Sequence, residues 1–170
     1  MGQRRDYAID KAVTDRAEAE AVCAAVIDVL RPVIRSARID VFTDSPEKMP
    51  DDVRRAEAHL AAAGRDRKRR GSDGRMGLVV RRGDPEWSAV ESYAAWSINA
   101  ELTGADDQDL ATFHDCGYSV VAALTDDEVA ALRLRLAPIA PVNLLSDIHD
   151  RRRSEKRAVR HSRARAWLGR

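Results

Sequence analysis

A broad apolar stripe near the start of the chain dictates what the rest must provide. Val22, Val26, Val29 and Val33 recur at steps of three and four, flanked by Cys23, Ile27, Leu30 and Ile34. That spacing predicts an amphipathic helix from about Asp10 to Leu30. Pro32 ends or kinks it, because proline has no amide to donate and clashes one turn back. One helix cannot bury such a face by itself, so a second layer has to cover it.

The covering layer is written in segments of alternating polarity. Ile39, Val41 and Thr43 alternate with Arg38, Asp40 and Phe42. Met76–Arg82 carries Leu78, Val79 and Val80 at its centre. Ala94, Trp96, Ile98, Ala100 and Leu102 alternate with Ser97, Asn99 and Glu101, and Tyr118–Leu124 is an apolar run suited to a central strand.

Between these lie helix signals. Ser45–Pro50 turns, Asp51 or Asp52 caps a helix to about Ala63, and Gly64 is placed to stop it. Asp106 or Asp107 caps a short helix burying Leu110 and Phe113, with Gly117 as terminator. Thr125-Asp126-Asp127-Glu128 is a capping box whose helix buries Val129, Leu132 and Leu136 and stops at Pro138. Asp84-Pro85-Glu86 reads equally as a hairpin loop or as the start of a helix through Trp87, Val90 and Ala94. Pro138 and Pro141 bracket an extended linker, after which Leu144, Leu145 and Ile148 can dock one helical turn.

The expected fold is therefore α+β. It is one small mixed or antiparallel sheet of about four strands with helices packed on one face, plus a basic C-terminal helix or tail. Residues 1–141 form the expected globular domain, with a mobile basic loop over 65–75, and 142–170 form a docking turn and an arginine-rich tail. At 170 residues the chain is long enough to bury a core without a metal or disulfide staple. Its two cysteines, Cys23 and Cys116, read as small buried hydrophobes. No apolar stretch of export-signal or membrane-spanning length is present, which makes the cytoplasm the expected location.

Charge carries the functional reading. The formal net charge of +1 conceals segregation: +8 over residues 151–170, +6 over 65–82 and −13 over the remainder. The candidate phosphate contacts are Arg67, Lys68, Arg69 and Arg70 in the loop. Those in the tail are Arg151, Arg152, Arg153, Lys156, Arg157, Arg160, Arg163 and Arg165, with Trp167 able to stack on a base. Only four of the 29 basic residues are lysine. A GC-rich coding sequence produces the same skew, so arginine abundance alone does not define a phosphate site. The acidic remainder suits a basic partner protein. The expectation is a non-enzymatic binding or regulatory protein whose acidic body engages an unidentified protein partner. The alternative is an accessory protein that binds DNA or RNA through the loop and tail.

Chemistry-bearing motifs are sparse. His114-Asp115-Cys116, with His149 further on, supplies weak metal-ligand candidates, but zinc sites bring paired ligands at short spacing from both halves, and neither half is present. Ser45-Pro46-Glu47-Lys48 fits Ser-x-x-Lys without companion motifs. Gly71, Gly74 and Gly77 lack the Gly-Lys-Ser/Thr of a phosphate loop. No catalytic residue and no cofactor is predicted.

Overall fold

The computed structural model describes residues 2–67 and 74–168, with side-chain surroundings described to Arg157. Among the described residues seven strands form one sheet: β1 (Arg5–Ile9), β2 (Ser36–Ile39), β3 (Leu78–Arg81), β4 (Asn99–Thr103), β5 (Asp109–His114), β6 (Ser119–Leu124) and β7 (Val142–Leu144). Their order is β3-β2-β4-β5-β6-β1-β7, and every neighbouring pair is antiparallel. Five helices accompany it: α1 (Arg16–Leu30), α2 (Asp51–Arg67), α3 (Trp87–Tyr93), α4 (Asp126–Leu136) and α5 (Leu145–Leu168). The α+β class stands, and the expected four strands become seven.

The three extra strands have physical explanations. β1 carries no pattern that marks it as a strand, because only Tyr7 of its five residues is buried, leaving almost no alternation to read. It is held by its neighbours instead, pairing with β6 on one side and β7 on the other. The helix read from Asp10 consequently starts at Arg16, where the Asp15 carboxylate accepts the amides of Ala17 and Glu18.

β5 replaces the short helix expected after Asp106. The three-residue spacing of Leu110 and Phe113 imitates a helix. A register shift beside Leu102 and Thr103 is the real cause, and Leu110, Ala111 and Phe113 are all buried there. Asp106 and Asp107 both take positive φ and close the β4–β5 hairpin. β7 lies in the stretch read as linker and docking turn, and tertiary pairing with β1 makes it the sheet edge. Ala94–Trp96, expected as strand, is a buried turn of 3-10 helix, and β4 begins only at Asn99.

α2 also runs past its expected stop, through Gly64 to Arg67. Gly64 has a different task. A Cβ there would lie 1.9 Å from the carbonyl oxygen of Gly74, so the bare helix surface lets the chain leading into β3 cross it.

Alternate strand residues and the inner faces of α1–α4 share one hydrophobic core. Tyr7, Ile39, Val80, Leu102, Phe113, Ala122 and Leu124 meet Val22, Val26, Leu30, Leu60, Tyr93 and Leu132. The capping box at Thr125 and Glu128 is complete, so α4 starts where the sequence placed it. α5 sits differently. Ile148, 2% exposed, lines a groove with Ala8 and Val121. Those two alternate to the side opposite Tyr7 and Ala122, so the first turn of α5 docks on the reverse of the sheet. Among the described residues no helix is long and apolar enough to cross a membrane.

Candidate functional site

A cavity of about 400 Å³ opens where the N-terminus of α1, the segment after β2 and the β5–β6 turn converge. Its most organised component is Arg16, the first residue of α1. The guanidinium carbon lies 4.6 Å from the Trp96 ring centre and 4.9 Å from that of Tyr118, and Nη2 donates to the Ala95 carbonyl at 2.6 Å. Planar delocalised charge between two aromatic faces is a stacking arrangement that lysine cannot reproduce. Glu20, one turn on, lies 3.8 Å from Nε. Arg16 Nε and Trp96 Nε1 are buried without hydrogen-bond partners among the described residues.

The β5–β6 turn forms the opposite wall. Asp115, Cys116 and Gly117 take φ of 52°, 55° and 78°, three consecutive left-handed residues. Two overlapping turns result, with Gly117 donating to the His114 carbonyl and Tyr118 to that of Asp115. The Asp115 amide donates to the Ile98 carbonyl at 3.0 Å, tying the turn to the chain before β4. The turn buries Cys116, whose Sγ lies 3.7 Å from the Thr43 hydroxyl. Gly117 abuts Cys23, whose thiol is pushed up to about 12 by burial.

Asp15, Asp44 and Asp115 are exposed and rim this cavity with Lys48. Asp15 is occupied with capping α1, while Asp44 and Asp115 have no cation within 4.0 Å among the described residues. Glu47, Asp51 and Asp52, which follow in the chain and are not among the lining residues, are likewise exposed without ion pairs among the described residues.

The weak metal candidates are not gathered. His114 is exposed at the end of β5, Cys116 is buried in the cavity wall, and His149 lines the α5 groove with Lys11 and Arg152. Among the described residues, no group of three His, Cys, Asp or Glu side chains is placed to hold a metal ion.

The arginines divide into two kinds. Arg67 is committed to its own molecule: it donates to the Val79 carbonyl on the outer edge of β3 and pairs with Asp84 at 3.4 Å and Glu86 at 3.1 Å. Lys68, Arg69 and Arg70 lie outside the described residues. On α5, Arg151 pairs with Asp10 at 2.5 Å, and its hydrogen bond, joined by that of Asn143, holds the Asp10 carboxyl below the usual range. Arg152, Arg153, Lys156 and Arg157 are exposed, with no carboxylate within 4.0 Å among the described residues. Positions 160, 163, 165 and 167 continue the same helix, and their side chains lie outside the described ones.

Sequence reasoning found the arginines of α5 and missed the Arg16–Trp96–Tyr118 stack entirely. Its members are separated by 80 and 22 positions and share no local pattern. The one available signal was Asp-Cys-Gly, a turn-forming string that helix spacing overrode. No protein-family model, curated protein or solved structure matches this chain.

Proposed function

We propose that this protein is a nucleic-acid-associated binding protein that contacts phosphates through α5. The observation that carries this reading is the isolation of the helix. Twenty-four residues at about 1.5 Å each make a rod of roughly 36 Å. Its main contacts with the sheet are to β1 and β7. Arg151 is paired with Asp10, and the described cations beyond it, Arg152, Arg153, Lys156 and Arg157, are exposed with no carboxylate within 4.0 Å among the described residues. Leu145, Ile148, His149 and Arg152 line the groove against the body and Arg151 pairs with it, while the charge of the next turn is left available to an anionic partner.

The test is fluorescence anisotropy with labelled mixed-sequence duplex and single strand at about 50 and 200 mM salt. Affinity should fall steeply with salt and vanish when residues 151–170 are removed. Absence of binding by the full chain at the lower salt rejects the reading.

A second reading has its own support. Asp44 and Asp115 rim the cavity with no cation within 4.0 Å among the described residues, and such a rim suits a basic segment of a protein partner. Affinity capture from nuclease-treated extract tests it. Capture that survives nuclease and is lost in Asp44→Asn/Asp115→Asn supports a protein partner, and capture indifferent to both substitutions removes this site from consideration.

A further inference from the structure

Charges on α5 are sorted by face. At about 100° per residue, and counting from Arg152, Lys156 falls near 40°, Arg153 near 100° and Arg157 near 140°. On the same count Asp150 falls at about 160°, Asp147 at about 220° and Glu155 at about 300°. Arg151, at about 260°, is the one cation among these acids by this count. It is also the one that is ion-paired, to Asp10 at 2.5 Å and near Glu155 at 4.0 Å. The other four cations described on α5 therefore make two rows, Arg152 with Lys156 and Arg153 with Arg157, each stepping one helical turn. The acids and Arg151 occupy the other side.

We infer that α5 lies in the major groove of duplex DNA, with Arg152 and Lys156 toward one phosphate backbone and Arg153 and Arg157 toward the other. This rests on the phosphate-binding reading above and adds a face, a groove and a form of nucleic acid. A helix with its side chains is about 10–12 Å across, which matches the roughly 12 Å width of that groove. The major groove of A-form RNA is too narrow to admit it. An acidic protein is a poorer occupant. Docking helices anchor through apolar side chains at turn spacing, and beyond Ile148 the large apolar residues of α5, Val159, Trp167 and Leu168, are adjacent or at least eight positions apart. Phosphate binding needs no such anchor, since its affinity comes from counterion release.

The experiment compares the full chain with a charge-conserving shuffle, Arg152→Ser/Ser154→Arg with Lys156→Ala/Ala158→Lys. The shuffle moves one row to the acidic side while preserving the composition of the helix. Each pair of phosphate contacts adds about 12-fold to the loss of affinity between 50 and 200 mM salt, so losing one row should make the salt dependence about 12-fold smaller. The full chain should show the larger salt dependence on duplex DNA and the shuffled chain the smaller one. Arg152→Gln/Lys156→Gln, which removes the row outright, should match the shuffle in salt dependence.

Full-strength binding by the shuffled chain overturns the two-row assignment and leaves phosphate binding standing. Equal or tighter binding to duplex RNA overturns the groove. No binding of the full chain to any nucleic acid at about 50 mM salt overturns both. Salt-sensitive self-association without nucleic acid, abolished by the shuffle, assigns the rows to a second copy and overturns the inference.

Discussion

Replacing Gly117 with alanine tests the packing that builds the cavity wall. Two penalties act at that position. The backbone sits at φ +78°, where an L side chain costs about 1–2 kcal/mol. The added Cβ would also lie 2.9 Å from Cys23 Sγ, 3.0 Å from the Ala95 oxygen and 3.2 Å from its Cα, an overpacking of about 1–3 kcal/mol. Together they predict a loss of about 2–5 kcal/mol, which in a chain of this size lowers Tm by roughly 10 °C. Two further glycines separate the penalties. Gly77 has φ +64° and nothing within 4 Å of a Cβ, so alanine there should cost about 1–2 kcal/mol. Gly83 has open space and no left-handed backbone, so its alanine variant should stay within about 0.5 kcal/mol of the parent. Urea unfolding at constant pH reads all three, provided the denaturant slopes agree. Adding Cys23→Ala to Gly117→Ala should recover part of the loss by removing the nearest contact, a coupling visible in a double-mutant cycle. If Gly117→Ala costs no more than Gly77→Ala, the turn does not press on α1 and Ala95, and the cavity wall described above is wrong.

Three other outcomes follow from the same geometry. Glu128 is desolvated, which alone would raise its carboxyl, but hydrogen bonds from Arg4 and the Thr125 amide outweigh this and hold it below the usual range. Its contribution to stability is therefore present above the unfolded carboxylate pKa and fades as pH falls through the lower folded value. Urea midpoints for Glu128→Gln should accordingly show a shallower acid limb than the parent. The two thiols should react differently in the native state. Iodoacetamide followed by peptide mass mapping should leave Cys23 unmodified until urea unfolds the chain, because burial pushes its thiol up to about 12, so any native labelling should be at Cys116 in the cavity wall. Arg16→Lys keeps the charge and loses the planar stack between Trp96 and Tyr118. It should shift near-ultraviolet circular dichroism and lower stability by about 1 kcal/mol, whereas an unchanged aromatic spectrum would mean the rings are not organised around the guanidinium.

The parts of this protein that were legible in its sequence are those governed by neighbours in the chain. The α1 stripe, the Thr125–Glu128 box and the central strand after Tyr118 depend on spacing within a few residues, and each sits where that spacing puts it, α1 beginning at Arg16. β1, β5 and β7 were illegible because pairing partners distant in sequence make them strands. The Arg16–Trp96–Tyr118 stack was illegible for the same reason. The positive ends were visible as arginine counts, but which arginines remain available was decided by where the folded body puts its carboxylates. Arg67 meets Asp84 and Glu86, and Arg151 meets Asp10. Composition records how much charge a chain carries, and only the fold brings opposite charges within the few ångströms over which they neutralise each other.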